Sequence, residues 1–197
     1  MTLHAFDFDG TLTTRDTLIC FIRFACGTRG LLGALLRNVH RLVLMKLGLY
    51  SNGVAKQHVF ACCFKGMSEE AFDQLCKRFA EENRHLLRPQ AVARLSEALD
   101  AGDKVIVVSA SIDRWVRPFF TDQGLSVTVV GTEVEISDGV LTGRFRGNNC
   151  YGEEKVRRIS EVMPPRSDYR LIAYGDSRGD RELLAYADEA HYKPFRS

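Results

Sequence analysis

Leu3-His4-Ala5-Phe6-Asp7-Phe8-Asp9-Gly10-Thr11-Leu12-Thr13 is the stretch on which the fold turns. A short apolar run that stops at two acidic residues and a glycine reads as a buried strand, Leu3–Phe8, feeding a turn. Asp7 and Asp9 lie two positions apart, so both carboxylates can point into one site. Like charges that close repel unless a cation sits near them, and the pair therefore predicts a hard metal such as Mg²⁺. A carboxylate ionised by such a metal can attack phosphorus and form an aspartyl-phosphate. The second carboxylate can protonate the leaving oxygen and later activate water. A plain strand end whose Asp residues cap a turn is the competing reading.

Three further segments weigh against that plain reading. Lys104–Val108 is a continuous β-branched run closed by Ser109-Ala110-Ser111. A hydroxyl at a strand end, followed by the backbone N–H groups that open a helix, suits a phosphate oxygen. By itself it reads first as a plain helix N-cap. Lys155, in Cys150-Tyr151-Gly152-Glu153-Glu154-Lys155, offers the cation needed to neutralise phosphoryl oxygens, although a solvated helix lysine looks the same. Tyr174-Gly175-Asp176-Ser177-Arg178-Gly179-Asp180 ends a further strand with two more carboxylates for a metal, or forms a simple Gly/Asp/Ser turn. Each segment falls at the carboxyl end of an expected strand or at the start of the next helix, the edge where open α/β sheets bind ligands.

Between these points the pattern alternates. Helices are expected at Asp16–Cys26, Leu31–Gly48, Val54–Cys63, Ser68–Asn83 and Pro89–Ala101, then at 112–123, Tyr151–Met163 and Asp180–Ala187. Strands are expected at Val127–Val130 and Tyr169–Tyr174, with a hairpin of Glu133–Ile136 and Val140–Phe145 around Ser-Asp-Gly. Short apolar strands alternating with helices define a doubly wound, Rossmann-like α/β parallel sheet. Residues 1–14 and 100–197 would form this core, and 15–99 a helical insertion after the first strand. With 197 residues, 45% hydrophobic and 26% charged, the chain has an ordinary globular composition, and a net charge of +2 gives no electrostatic case for nucleic acid. Six scattered cysteines without zinc spacing suit reduced thiols in a cytoplasmic protein. No basic-then-apolar leader opens the sequence, and no run of 18 uncharged apolar residues predicts a spanning helix.

The four segments resemble the haloacid dehalogenase superfamily of phosphohydrolases. Asp7-Phe8-Asp9-Gly10-Thr11 is similar to its first motif, Ser109 to its second, Lys155 to its third, and Gly175-Asp176-Ser177-Arg178-Gly179-Asp180 to its fourth. The helical insertion resembles that family's cap. The hairpin resembles the subgroup containing phosphoserine phosphatase, while Ser109-Ala110-Ser111 and Cys150–Lys155 look closer to a neighbouring branch that contains C-type phosphatidylglycerophosphatases. The resemblance implies Asp7 as nucleophile and Mg²⁺ ligand, and Asp9 as general acid and base with its carbonyl on the metal. It implies Ser109, with Ala110, and Lys155 on the phosphoryl group, Asp176 as a metal ligand, and Asp180 completing or orienting the acidic cluster. Asp16 stands where phosphoserine phosphatases carry Glu, and Lys56-Gln57-His58 where they carry a cap arginine, so a phosphoserine carboxylate would lack its bidentate clamp. Arg15, Asp16 and Ser111 are the candidates for substrate contact. The expected function is Mg²⁺-dependent hydrolysis of a small phosphometabolite or a phospholipid headgroup phosphate. Phosphoserine hydrolysis, phosphotransfer to another acceptor and non-catalytic phosphate binding are the alternatives.

Leu32, Leu35, Leu36, Val39, Leu42, Val43 and Leu47 share a helical face, with Arg37, His40 and Arg41 on another. Such a helix packs its apolar face on neighbouring helices, or lays it on a membrane surface. Packing is the favoured expectation.

Overall fold

The computed structural model describes residues 1–121 and 123–196; position 122, within the helix expected at 112–123, and position 197 lie outside the described residues. Six strands form one sheet: β1 (Thr2–Phe6), β2 (Lys104–Ile112), β3 (Thr128–Ser137), β4 (Val140–Arg146), β5 (Arg170–Gly175) and β6 (Glu189–Tyr192), in the order β4-β3-β2-β1-β5-β6. Every pairing is parallel except β3 with β4. β1 sits between β2 and β5, so chain connections leave it in opposite directions. Its carboxyl end is therefore the switch point at which such sheets open a crevice.

The central strands β1, β2 and β5 are mostly apolar on both faces because both faces are covered. Leu3 and Ala5 of β1 join Ile106, Leu171 and Ala173 beneath the helices α8 (Glu153–Val162) and α9 (Arg181–Tyr186). On the other face Phe6, Val107 and Tyr174 lie in a second core with Ala91, Leu95 and Ala98 of α5 (Pro89–Asp100). That second core is continuous with the helical block between β1 and β2. There α1 (Thr17–Arg37), α2 (Val39–Lys46), α3 (Asn52–Phe64) and α4 (Glu69–Glu82) follow one another. Phe21 of α1 contacts the rings of Phe64, Phe72 and Phe79 and stacks on Trp115 at 4.6 Å. Trp115 belongs to α6 (Asp113–Val116), which α7 (Pro118–Thr121) follows. Arg114 of α6 also reaches Glu69 and Asp73 of α4 at 2.6 and 2.7 Å.

Several elements differ from expectation. The expected helix over 112–123 is two short pieces, broken ahead of Pro118, which cannot supply the N–H that a continuous helix requires. The two strands expected at Val127–Val130 and Glu133–Ile136 are one strand, β3. Gly131 lies inside it because a Cβ there would stand 2.7 Å from the Ser111 carbonyl oxygen. β6 was not anticipated.

The helix expected over Leu31–Gly48 breaks at Asn38, and its N-terminal part joins α1 through a kink at Gly27, φ +67°. By length and composition α1 could cross a membrane, yet Phe21, Ile22, Leu31 and Ala34 of this helix are buried in the fold. The expected packing of the apolar stripe is corrected here. Leu32, Leu36, Val39, Val43 and Leu47 are exposed, and Leu35 and Leu42 only partly buried. An amphipathic period states that a face is apolar, not that another helix is there to cover it.

Candidate functional site

Three adjacent strands carry the site. β1 leads directly into Asp7, whose N–H still donates to the Tyr174 carbonyl at 2.9 Å, continuing the ladder by one residue. The chain then turns tightly through Phe8–Leu12, where Gly10 has φ +84°; a Cβ at Gly10 would stand 2.5 Å from Asp176 Oδ2. That close approach brings Asp7 and Asp176, which follows β5, to one point. Ser109 lies where the pairing of β2 with β3 shifts register.

Lys155 is the centre of the charge arrangement. It is buried, and its Nζ donates to Asp7 Oδ1 and to Asp180 Oδ1, each at 2.6 Å. The other oxygen of Asp180 accepts from the Ser177 N–H at 2.9 Å, the Ser177 hydroxyl at 2.8 Å and the Asp176 N–H at 3.2 Å. Asp180 thus has both oxygens engaged and acts by positioning Lys155 and the turn. Asp7 Oδ2 accepts from the Thr11 hydroxyl at 3.1 Å. Burial pushes the Asp7 carboxyl up to about 7 despite the lysine. Burial also opposes the Lys155 charge, but Asp7 and Asp180 outweigh it and hold the ammonium above the ordinary lysine range. At Asp180 the same burial is outweighed by Lys155 and Ser177, which keep its carboxyl low.

Asp9 faces the other way, towards the helical block. Its Oδ1 accepts from the Thr17 N–H and the Thr17 hydroxyl, both at 2.7 Å, and its Oδ2 from the Ser111 hydroxyl at 2.5 Å. Burial, then the Asp16 charge, raises its pKa. Thr17 Oγ1 in turn accepts from Trp115 Nε1 at 3.2 Å, which ties the orientation of Asp9 to the aromatic core. Asp16 caps α1 by accepting from the Leu18 N–H at 2.9 Å.

The cleft above these groups has a volume of about 370 Å³. Asp7, Asp9, Arg15, Asp16, Ala110, Lys155, Asp176 and Asp180 line it. Ser109 is fully buried, its Oγ accepting from the Ser111 N–H at 3.0 Å. Ser111 is buried too, behind Asp9. Asn52 and Lys56 of α3, Tyr151 and Arg196 complete the wall. Neither Thr17 nor Asn52 was anticipated. Nothing short-range marks them, although a hydroxyl next to a helix cap eight residues after Asp9 was the available clue for Thr17.

The donors present suit a hard cation. Carboxylate oxygens of Asp7, Asp176 and Asp180 lie within 4.8 Å of one another, and Asp176 Oδ1 is buried with no hydrogen-bond partner among the described residues. The other Asp176 oxygen is met by the Arg196 guanidinium. An unpartnered buried carboxylate oxygen is costly unless a cation or donor completes it. The Asp9 carboxylate is outside this group.

A parallel sheet with acidic groups at its switch point, a buried lysine between two of them and a helical block over the cleft define a hydrolase of the haloacid dehalogenase type. The chain belongs to that family: residues 5–185 match the haloacid dehalogenase-like hydrolases. It is 39% identical over 197 residues to the protein CicA of Caulobacter vibrioides strain NA1000 / CB15N, covering 98% of this chain and 86% of CicA. It is 29% identical over 127 residues to a phosphoserine phosphatase of Archaeoglobus fulgidus, covering 62% of this chain and 34% of that one. Among solved structures, a protein of unknown function from Bordetella pertussis Tohama I superposes with a TM-score of 0.79 at 26% identity, over 94% of this chain and 87% of that one. A substrate-bound phosphoserine phosphatase shares the fold, with a TM-score of 0.61 at 22% identity, over 94% and 82% of the two chains.

Proposed function

We propose that this protein is a Mg²⁺-dependent phosphomonoesterase working through an aspartyl-phosphate. The observation that carries the reading is the buried Asp7–Lys155–Asp180 arrangement beside an unpartnered Asp176 oxygen. Asp7, Asp176 and the Asp9 carbonyl would hold the cation; when bound, it supplies positive charge that keeps Asp7 ionised and screens the incoming phosphate. Asp7 attacks phosphorus as the bond to the leaving oxygen breaks, and Asp9 gives that oxygen its proton. Asp9, now ionised, takes a proton from water as the water oxygen attacks phosphorus. The bond to Asp7 breaks as that attack completes, releasing inorganic phosphate and restoring the Asp7 carboxylate and the protonated Asp9. Lys155 offsets the charge on Asp7 and on the phosphoryl oxygens throughout.

The substrate class that fits best is a phosphomonoester of a small molecule or a lipid headgroup other than phosphoserine. Asp16, at the position expected to meet a substrate amine, gives one oxygen to the Leu18 N–H, and α3 offers Lys56 and Asn52 to the cleft where a bidentate arginine would be needed. The test is phosphate release from a panel of phosphoserine, sugar phosphates, phosphocholine and phosphatidylglycerophosphate, with Mg²⁺ or with chelator. Turnover that needs Mg²⁺ and vanishes in Asp7→Asn supports the reading. No release from any ester by a folded, Mg²⁺-binding protein overturns it in favour of phosphotransfer or phosphate binding.

A further inference from the structure

The C-terminal half of α1, α2 and the turn after it form a surface that the fold leaves uncovered. Leu36, Leu47 and Leu49 are 71, 66 and 73% exposed, and Leu32, Val39 and Val43 are each about half exposed. From Leu32 to Leu47 these positions recur every three or four residues, so they make one stripe along the two helices rather than isolated surface residues.

The charge around the stripe is as uneven. From Thr17 to Ser68 there is no Asp or Glu, while the same 52 residues hold seven lysines and arginines. The whole chain is only +2, so everything outside this segment is net negative. Arg29, Arg37, His40 and Lys46 are exposed beside the stripe. Some exposed arginines elsewhere, such as Arg157 and Arg170, are paired with carboxylates. Here the segment itself has none to offer.

We infer that this face docks on an anionic lipid surface. Apolar side chains that insert at the headgroup boundary, with unpaired cations beside them, are the two components of interfacial binding. A second copy of the chain fits worse: a symmetric contact sets the same patch against itself, bringing arginine and lysine to arginine and lysine with no acidic residue in the segment to answer them. The net-negative remainder would be repelled by the same surface, so the field also orients the molecule with α1 and α2 towards the lipid. The chain leaves this face at Leu49 and enters the cleft wall at Asn52, so docking would place the cleft beside the membrane. The inference goes beyond the proposed chemistry and does not depend on it.

The test is co-sedimentation of the full chain with vesicles of phosphatidylcholine alone or mixed with phosphatidylglycerol. Sedimentation-velocity runs and melting curves accompany it as controls for self-association and folding. Binding is expected only to the anionic vesicles and should fall as salt rises. An R29Q/R37Q/K46Q variant should weaken it by about fivefold per charge removed, and L36E/V43E should weaken it by at least about tenfold. Both variants should keep the wild-type melting temperature, which separates lost docking from lost fold without any activity measurement. Absence of binding to anionic vesicles overturns the inference, as does binding that both variants retain. Concentration-dependent dimers that L36E/V43E abolishes, with no vesicle binding, overturn it and assign the face to a second copy.

Discussion

Replacing Thr17 by valine should separate the proton donated by Asp9 from the rest of the chemistry. Valine keeps the shape and the branching at Cβ but removes the hydroxyl that donates to Asp9 Oδ1 at 2.7 Å; the backbone N–H at 2.7 Å remains. The carboxyl that donates the proton is neutral, and a neutral hydrogen bond contributes about 0.5–1.5 kcal/mol, so losing the hydroxyl should slow a step that depends on Asp9 by roughly two- to tenfold. The same change leaves Trp115 Nε1 without its acceptor. That costs about 1–3 kcal/mol of stability, a fall of several degrees in Tm for a chain of this size. The assay compares kcat/KM, which reports only the steps through departure of the leaving group, on an alkyl phosphate and on 4-nitrophenyl phosphate. An alkoxide needs the proton from Asp9 to leave, whereas nitrophenolate leaves without it. Thr17→Val should therefore depress the alkyl ester far more than the aryl ester, and Thr17→Ser should restore most of the loss. An equal fall on both esters, or no fall on either, would refute the assignment of Thr17 as the group that positions Asp9.

Lys155→Met leaves Asp7 and Asp180 buried without their shared cation, so kcat should drop by about 10²–10³ and stability by about 3–5 kcal/mol, read by phosphate release and chemical denaturation. Gly10→Ala forces a Cβ against Asp176 at a positive φ; Mg²⁺ affinity measured by titration calorimetry should weaken by about tenfold or more. His4 is buried between Asp103 and Tyr174, at 3.2 Å from each, and burial holds its pKa below the ordinary histidine value. The unfolded chain therefore binds a proton near pH 6.5 that the folded chain does not, so stability should be full above about pH 6.5 and decline as pH falls below it. Denaturation midpoints between pH 5 and 7.5 should show that slope, and His4→Asn should flatten it.

Much of the site was legible because its chemistry is short-range. Asp7, Asp9, Asp176 and Asp180 sit within seven residues of a strand end, and apolar runs buried on both faces stand out in any reading of the chain. Thr17 and Asn52 were not legible, because their relation to Asp9 and the cleft exists only once α1 and α3 pack over the sheet. Gly131 misled for a physical reason. Glycine marks a turn or a close backbone approach with equal force, and here it allows β3 to pass the irregular end of β2 without a break. β6 was missed because Glu189-Ala190-His191-Tyr192 is a short edge strand with polar side chains, and its only pairing partner is β5.

The exposed stripe was visible as amphipathicity but assigned to the wrong environment, and the structure explains how the fold tolerates it. The inner half of α1 is fixed: Phe21 lies in the aromatic cluster and Thr17 holds Asp9. Gly27 then breaks the helix at φ +67°, with no atom within 4 Å of a Cβ built there, and Asn38 breaks it again before α2. Leu31, Ala34 and Asn38, with the partly buried Leu35 and Leu42, anchor the outer part to the body of the protein. Side chains that position a proton donor must be rigid, whereas side chains that meet a soft or variable surface need only be presented. Glycine at position 27 divides one helix between those two duties. A kink that uncouples the two halves predicts that Gly27→Ala couples changes at Leu36 or Val43 to the geometry of Asp9. A double-mutant cycle between Gly27→Ala and Leu36→Glu, read as kcat on the alkyl ester, measures that coupling. Strict additivity would show that the kink isolates nothing.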